Sequence, residues 1–182
     1  GLDSLEIFEG IDYEKEVVIN ENIKFKFNDA GHMLGSAIVD IDITEDGKTE
    51  KLVFSGDLGN LNMPIINDPT YIKAADHLVM ETTYGDREHG QIDDQSGKFI
   101  QILLDTIERG GNVIIPSFAV GRTQEILYEI NKYAAMKGIS ERLKKIPVYV
   151  DSPLAVNATK IFESISEDEN PLSLMLKLRK AM

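Results

Sequence analysis

The chain has 182 residues, enough for one domain or two small ones, and its 42% hydrophobic and 27% charged content is that of an ordinary soluble globular protein. A net charge of −12 argues against nucleic-acid binding by bulk electrostatics, while leaving room for a local basic cleft. The absence of cysteine removes disulfides and thiolate metal sites, and no apolar run is long enough to span a bilayer, so no membrane partner is expected and the expected compartment is the cytoplasm.

Residues 1–14 are an acidic, weakly patterned lead-in. Strands are predicted over 16–19 and 23–27 around an Asn20-Glu21-Asn22 turn, with Ile23, Phe25 and Phe27 on a buried face and Lys24 and Lys26 on a wet one. Residues 36–43 and 51–54 form a predicted hairpin through Asp46-Gly47, with Ala37, Val39, Ile41 and Ile43 on one face. A loop rich in Asn and Pro covers 59–70, and a short apolar strand over 78–80 ends at Glu81.

The pattern changes near Gly85. A helix is predicted over 93–109, with Phe99, Ile100, Leu103, Leu104 and Ile107 inward and Gly110-Gly111 as its stop. The continuous apolar run 112–115 reads as a parallel strand covered on both faces. A second helix covers 124–137 with Ile126, Leu127, Ile130 and Tyr133 inward, a second buried strand covers 147–150, and Ser152-Pro153 start a helix running to about 164. Asn170-Pro171 repeat that start signal. Strands alternating with helices imply βαβ units, so the class is α/β, with a boundary between Tyr84 and Asp93.

Two loops cap strand ends of the first half: residues 29–36, holding His32 between Gly31 and Gly35, and residues 55–59, holding Asp57. An imidazole and a carboxylate aimed at one place suit a borderline metal such as zinc, yet a catalytic zinc takes about three protein ligands. Only His77 and His89 remain as further histidines; the first precedes a buried strand and reads as structural, the second lies in a polar loop and reads as exposed. The pattern leaves His32 open between ligand and structural turn residue. Three more stretches carry candidate chemistry. Glu81 ends a strand, where an acid orients a histidine or holds a metal, against the alternative of a solvated charged loop running on to His89. Ser117 and Arg122 flank a strand-to-helix crossing that suits a phosphate, against a plain capped helix with an exposed arginine. Asp151 ends the second apolar strand, as a ligand-facing acid or as a helix cap.

Residues 29–36, 55–59, 81–85, 116–125 and 150–155, in that order, resemble the motifs of the metallo-β-lactamase superfamily, in its β-CASP branch. The wording of Gly31-His32-Met33-Leu34-Gly35-Ser36 and Glu81-Thr82-Thr83-Tyr84-Gly85 is most similar to the RNA-acting, cleavage-endonuclease-like members. The resemblance implies part of an αββα sandwich of mostly antiparallel strands over 1–88, then part of a parallel-sheet β-CASP domain over 89–182. It implies two Zn2+ ions, with His32 a ligand of one, Asp57 bridging both, and Glu81 the catalytic-site acid that orients a histidine from a later motif. Ser117 and Arg122 are implied to face substrate, with phosphate contact as their expected role. The implied activity is two-metal hydrolysis of a phosphodiester in single-stranded RNA, with a homodimer also open.

The family's His-x-His-x-Asp-His signature and its later histidine motifs are not in this sequence. The expectation is therefore an internal stretch of a longer hydrolase, with an incomplete zinc site and no activity on its own. The alternatives are a non-catalytic scaffold relative that has lost its site, or a small-molecule metallohydrolase of the same superfamily, against which the α/β region over 85–155 argues.

Overall fold

The alternating residues of the first half pair into one five-stranded sheet, ordered β1 (Val17–Val18), β2 (Ile23–Asp29), β3 (Ala37–Glu45), β4 (Lys48–Phe54) and β5 (His77–Val79). The computed structural model describes residues 7–87, 95–136, 140–143 and 145–165. The chain divides into two units, Gly1–Glu88 and His89–Met182.

In the first unit β1 to β4 are antiparallel, and β5 lies parallel to β4 after a crossover through residues 55–76. Asn20 Oδ1 accepts the Asn22 and Ile23 amides, each at 2.9 Å, which closes the first turn. Glu45 pairs with Lys48, and Asp46 and Gly47 have φ of 51° and 77°, the two-residue turn whose twist matches that of the strands. The register sets Asp29 opposite Ala37, Val39 opposite Phe54, and Phe54 beside Val79. One end of the sheet therefore carries the 30–36 loop, the loop after β4 and the segment after β5.

The buried cluster of this unit is Ala30, Ile38 and Val53, with Leu58 and Ile72 against it. Ile38 and Val53 share the sheet face of Lys24 and Lys26, contrary to the expectation that this face is wet. Neutralisation explains it. Lys51 Nζ lies 2.7 Å from Asp40 and 2.9 Å from Asp42, while Lys26 lies 3.7 Å from Asp40 and Lys24 3.7 Å from Asp42, so paired charges lie beside the apolar patch. Phe25 and Phe27, 5.2 Å apart in an edge-to-face pair, are only half-buried on the other face.

The second unit is helical: α1 (Gln95–Glu108), α2 (Arg122–Ala134), the short α3 (Ser140–Leu143) and α4 (Pro153–Ile165). Its core joins Ile100, Leu103 and Leu104 of α1 to Ile130 and Ala134 of α2 and Leu143 of α3. Helix α1 ends as its glycines predict: the Gly110 amide donates to Ile107 O and the Gly111 amide to Thr106 O, with Gly110 at φ 75°. Helix α2 begins two residues before the predicted start, at Arg122. Ser152 Oγ accepts the Ala155 amide at 3.2 Å and caps α4.

Among the described residues, 112–115 and 147–150 belong to no ladder, and Ile114 is 90% exposed and Tyr149 59% exposed, where sequence patterning predicts strands covered on both faces. A continuous apolar run does not name a pairing partner, and without one these residues stay open on one side and line a common cavity of about 440 Å³ beside α2. The chain is α/β, with its parallel pairing between β4 and β5. No described helix is long and apolar enough to cross a membrane. The helix start at Asn170-Pro171 and the loop position of His89 lie outside the described residues.

Candidate functional site

The 30–36 loop is held from inside. Asp29 Oδ1 accepts the Gly31 amide at 2.8 Å, and Ser36 Oγ accepts the His32 and Met33 amides at 3.1 and 3.2 Å. Tyr13 donates its hydroxyl to Ser36 O at 2.8 Å. Gly31 has φ 63°, and a Cβ there would come within 2.6 Å of the Pro69 ring.

The loop after β4 is tied to its neighbours on both sides. The Ser55 amide donates to Val79 O at 2.9 Å, and the Glu81 amide donates to Ser55 Oγ at 3.1 Å. The Gly59 amide donates to Ala30 O at 2.9 Å, where the two backbones approach so closely that a Cβ on Gly59 would overlap the Gly31 carbonyl. These links bring His32 Nε2 to 4.0 Å from Asp57 Oδ2, with the two side chains 40% and 76% exposed.

Glu81 contacts the Asp57 loop directly. Its Oε1 accepts the Leu58 amide at 2.7 Å and its Oε2 accepts the Thr83 hydroxyl at 2.8 Å. The Leu58 N–H, then the Thr83 hydroxyl, hold this carboxyl below the ordinary glutamate range by stabilising its charge. Ser55, Ser36 and Thr83 are the residues that sequence reasoning passed over; their only signal was a hydroxyl inside each candidate loop.

At zinc's tetrahedral angle, bonds of about 2.0–2.2 Å place two donors about 3.3–3.6 Å apart. The 4.0 Å between His32 Nε2 and Asp57 Oδ2 is a few tenths of an ångström wider than that, a gap that small rotations of these two exposed side chains close around one divalent cation. Among the described residues no group of three or more His, Cys, Asp and Glu could hold a metal; His32 and Asp57 stand as a pair. His77 is elsewhere, with Nε2 3.1 Å from Glu50 Oε2.

In the second unit, Thr123 donates its hydroxyl to Phe118 O at 2.7 Å. Ser117 must therefore be the donor in the 2.8 Å bond between the Ser117 and Thr123 hydroxyls. Ser117, Thr123, Asp151 and Ser152 line the polar part of the cavity. Arg122 is not among its lining residues; its guanidinium pairs with Glu125 at 2.7 Å and is 62% exposed. Ser117 and Arg122 are thus five residues apart in sequence but are not brought to one point.

Residues 123–178 match the Beta-Casp domain family. Ribonuclease TTHA0252 of Thermus thermophilus is 39% identical over 140 residues, which is 77% of this chain and 30% of that protein. An RNase J-like protein of Methanocaldococcus jannaschii is 38% identical over 175 residues, 92% of this chain and 38% of its own length. The transcription termination factor FttA of Pyrococcus horikoshii is 33% identical over 145 residues, 78% of this chain and 21% of its own. This chain belongs to the β-CASP family of the metallo-β-lactamase superfamily. The β-CASP chain spans well under half the length of each of these relatives. Its family match begins at Thr123, the residue that fastens the Ser117 loop, and takes in the whole of α4.

Proposed function

We propose that this chain supplies part of the catalytic centre of a zinc-dependent ribonuclease. His32 and Asp57 are its metal ligands, Glu81 holds the loop that presents Asp57, and Ser117 and Arg122 contact phosphates of single-stranded RNA. One observation carries the reading: His32 and Asp57 converge at 4.0 Å on two loops whose backbones are locked together at Gly59. The names of the relatives, a ribonuclease and an RNase J-like protein among them, support RNA as the substrate class.

A zinc pair, when bound, supplies Lewis acidity at phosphorus and a nucleophile at neutral pH. Asp57 presents a carboxylate with two oxygens, so it can serve two ions, whereas the imidazole of His32 offers one nitrogen to one ion. Glu81 keeps Leu58 in place and thereby fixes the direction from which Asp57 approaches. Ser117, already donating to Thr123, retains acceptor capacity and meets a phosphate only by rotating its hydroxyl hydrogen away from that bond.

Calorimetric zinc titration of this chain tests the ligand pair. Two donors predict weak binding that disappears in His32→Ala and in Asp57→Ala. Tight binding of two ions, or binding unchanged in both variants, would overturn the assignment.

A further inference from the structure

Gln124 is wholly buried, 0% exposed, in the first turn of α2, and its side chain reaches three places at once. Nε2 lies 3.1 Å from Ala119 O in the Ser117 loop, 3.0 Å from Thr159 Oγ1 and 3.4 Å from Ala155 O in α4. Thr159, also 0% exposed, donates its own hydroxyl to Ala155 O at 2.8 Å. Among the described residues Oε1 of Gln124 has no hydrogen-bond partner.

A Leu or Met would fill this volume without stranding an acceptor, and a buried unpaired acceptor is costly. What the amide alone provides is two N–H donors that bind acceptors on two separate elements. Those elements carry the two polar edges of the cavity: Ser117 precedes Ala119 on one, and Asp151 and Ser152 precede Ala155 on the other. We propose that Gln124 is a positioning residue that sets the spacing between the Ser117 loop and the Asp151–Ser152 start of α4, and so the width of the cavity mouth between them. Its importance for RNA rests on the proposed phosphate contact of Ser117. The spacing itself does not.

The test compares the full chain with Gln124→Met, which keeps the volume and removes both donors. The sequence has no cysteine, so spin labels can be attached at Phe118→Cys and Leu154→Cys, 84% and 61% exposed, without background. Pulsed dipolar spectroscopy is expected to give one narrow distance with Gln124 and a broadened or displaced one with Gln124→Met. Affinity for a labelled single-stranded RNA oligonucleotide is expected to fall about tenfold in the same variant, although Gln124 itself cannot reach solvent. An unchanged distance distribution, even with a lowered melting temperature, would reduce Gln124 to a core residue and overturn the inference. If the unsubstituted chain binds no RNA, or Ser117→Ala binds it equally, the functional reading falls while the distance measurement still decides the role of Gln124.

Discussion

A methyl group on Gly59 would overlap the carbonyl of Gly31, and the Gly31 backbone has little room to yield, since a Cβ on Gly31 would in turn lie 2.6 Å from Pro69 and 2.9 Å from the carbonyl of Asn67. Gly59→Ala is therefore expected to destabilise the first unit by about 1–3 kcal/mol, the range for forced overpacking. It should also separate the His32 and Asp57 loops. The measurement pairs a denaturant midpoint with zinc titration: stability and zinc binding fall together, whereas an exposed glycine such as Gly35, with open space around it, changes neither on substitution by serine beyond the strain of its φ of 81°. His32 and Asp57 could be read from the sequence because glycines mark their loops at strand ends. The partner of Glu81 could not, since the Leu58 amide stands 23 residues away and meets it only after β5 has crossed to lie parallel with β4.

The sheet depends on charges arranged across its strands. Asp42 is held below the ordinary aspartate value of 3.8 by its hydrogen bond from Lys51, an effect that outweighs burial and is reinforced by the charges of Lys51 and Lys24. A depressed folded-state pKa contributes stability that is fully present above that ordinary value and is lost as pH falls through the lower, folded one. Asp42→Asn is thus expected to cost stability at neutral pH and to flatten the acid limb of an unfolding curve followed by circular dichroism. Asp40→Ala should cost more, about 1.5–3 kcal/mol, because Asp40 is 5% exposed and its loss removes a charged hydrogen bond that Lys51 now makes. At this scale the sequence was informative about helices and misleading about faces. The stripe of Ile100, Leu103, Leu104 and Ile130 is a helix pattern that also specifies its burial. Alternation in β2 separated Lys24 and Lys26 from the phenylalanines correctly. It could not reveal that Asp40, Asp42 and Lys51 would neutralise the lysine face, because that pairing belongs to register and not to any one strand.

Over the whole molecule the charge of −12 repels a polyanion, so any RNA contact must be local and must come from cations freed from their own partners. Arg122 is the cation to follow in the second unit: it is exposed at the start of α2, where the helix dipole favours an anion, yet it is paired with Glu125. The guanidinium of this surface pair is open to solvent although Glu125 is only 19% exposed, and a single surface ion pair is worth about 1 kcal/mol or less, so a phosphate can take the guanidinium from Glu125. Each phosphate neutralised on a single strand steepens the fall of log K with log salt by about 0.7. Arg122→Ala is accordingly expected to weaken binding of a single-stranded RNA oligonucleotide and to reduce that slope by about 0.7. Glu125→Gln, which removes the competing carboxylate and leaves the arginine in place, should strengthen binding about twofold, in keeping with the small value of a surface ion pair. A slope unchanged by Arg122→Ala would show that the guanidinium meets no phosphate, and would assign Arg122 to the alternative already visible in its sequence position, an exposed residue at the start of a helix.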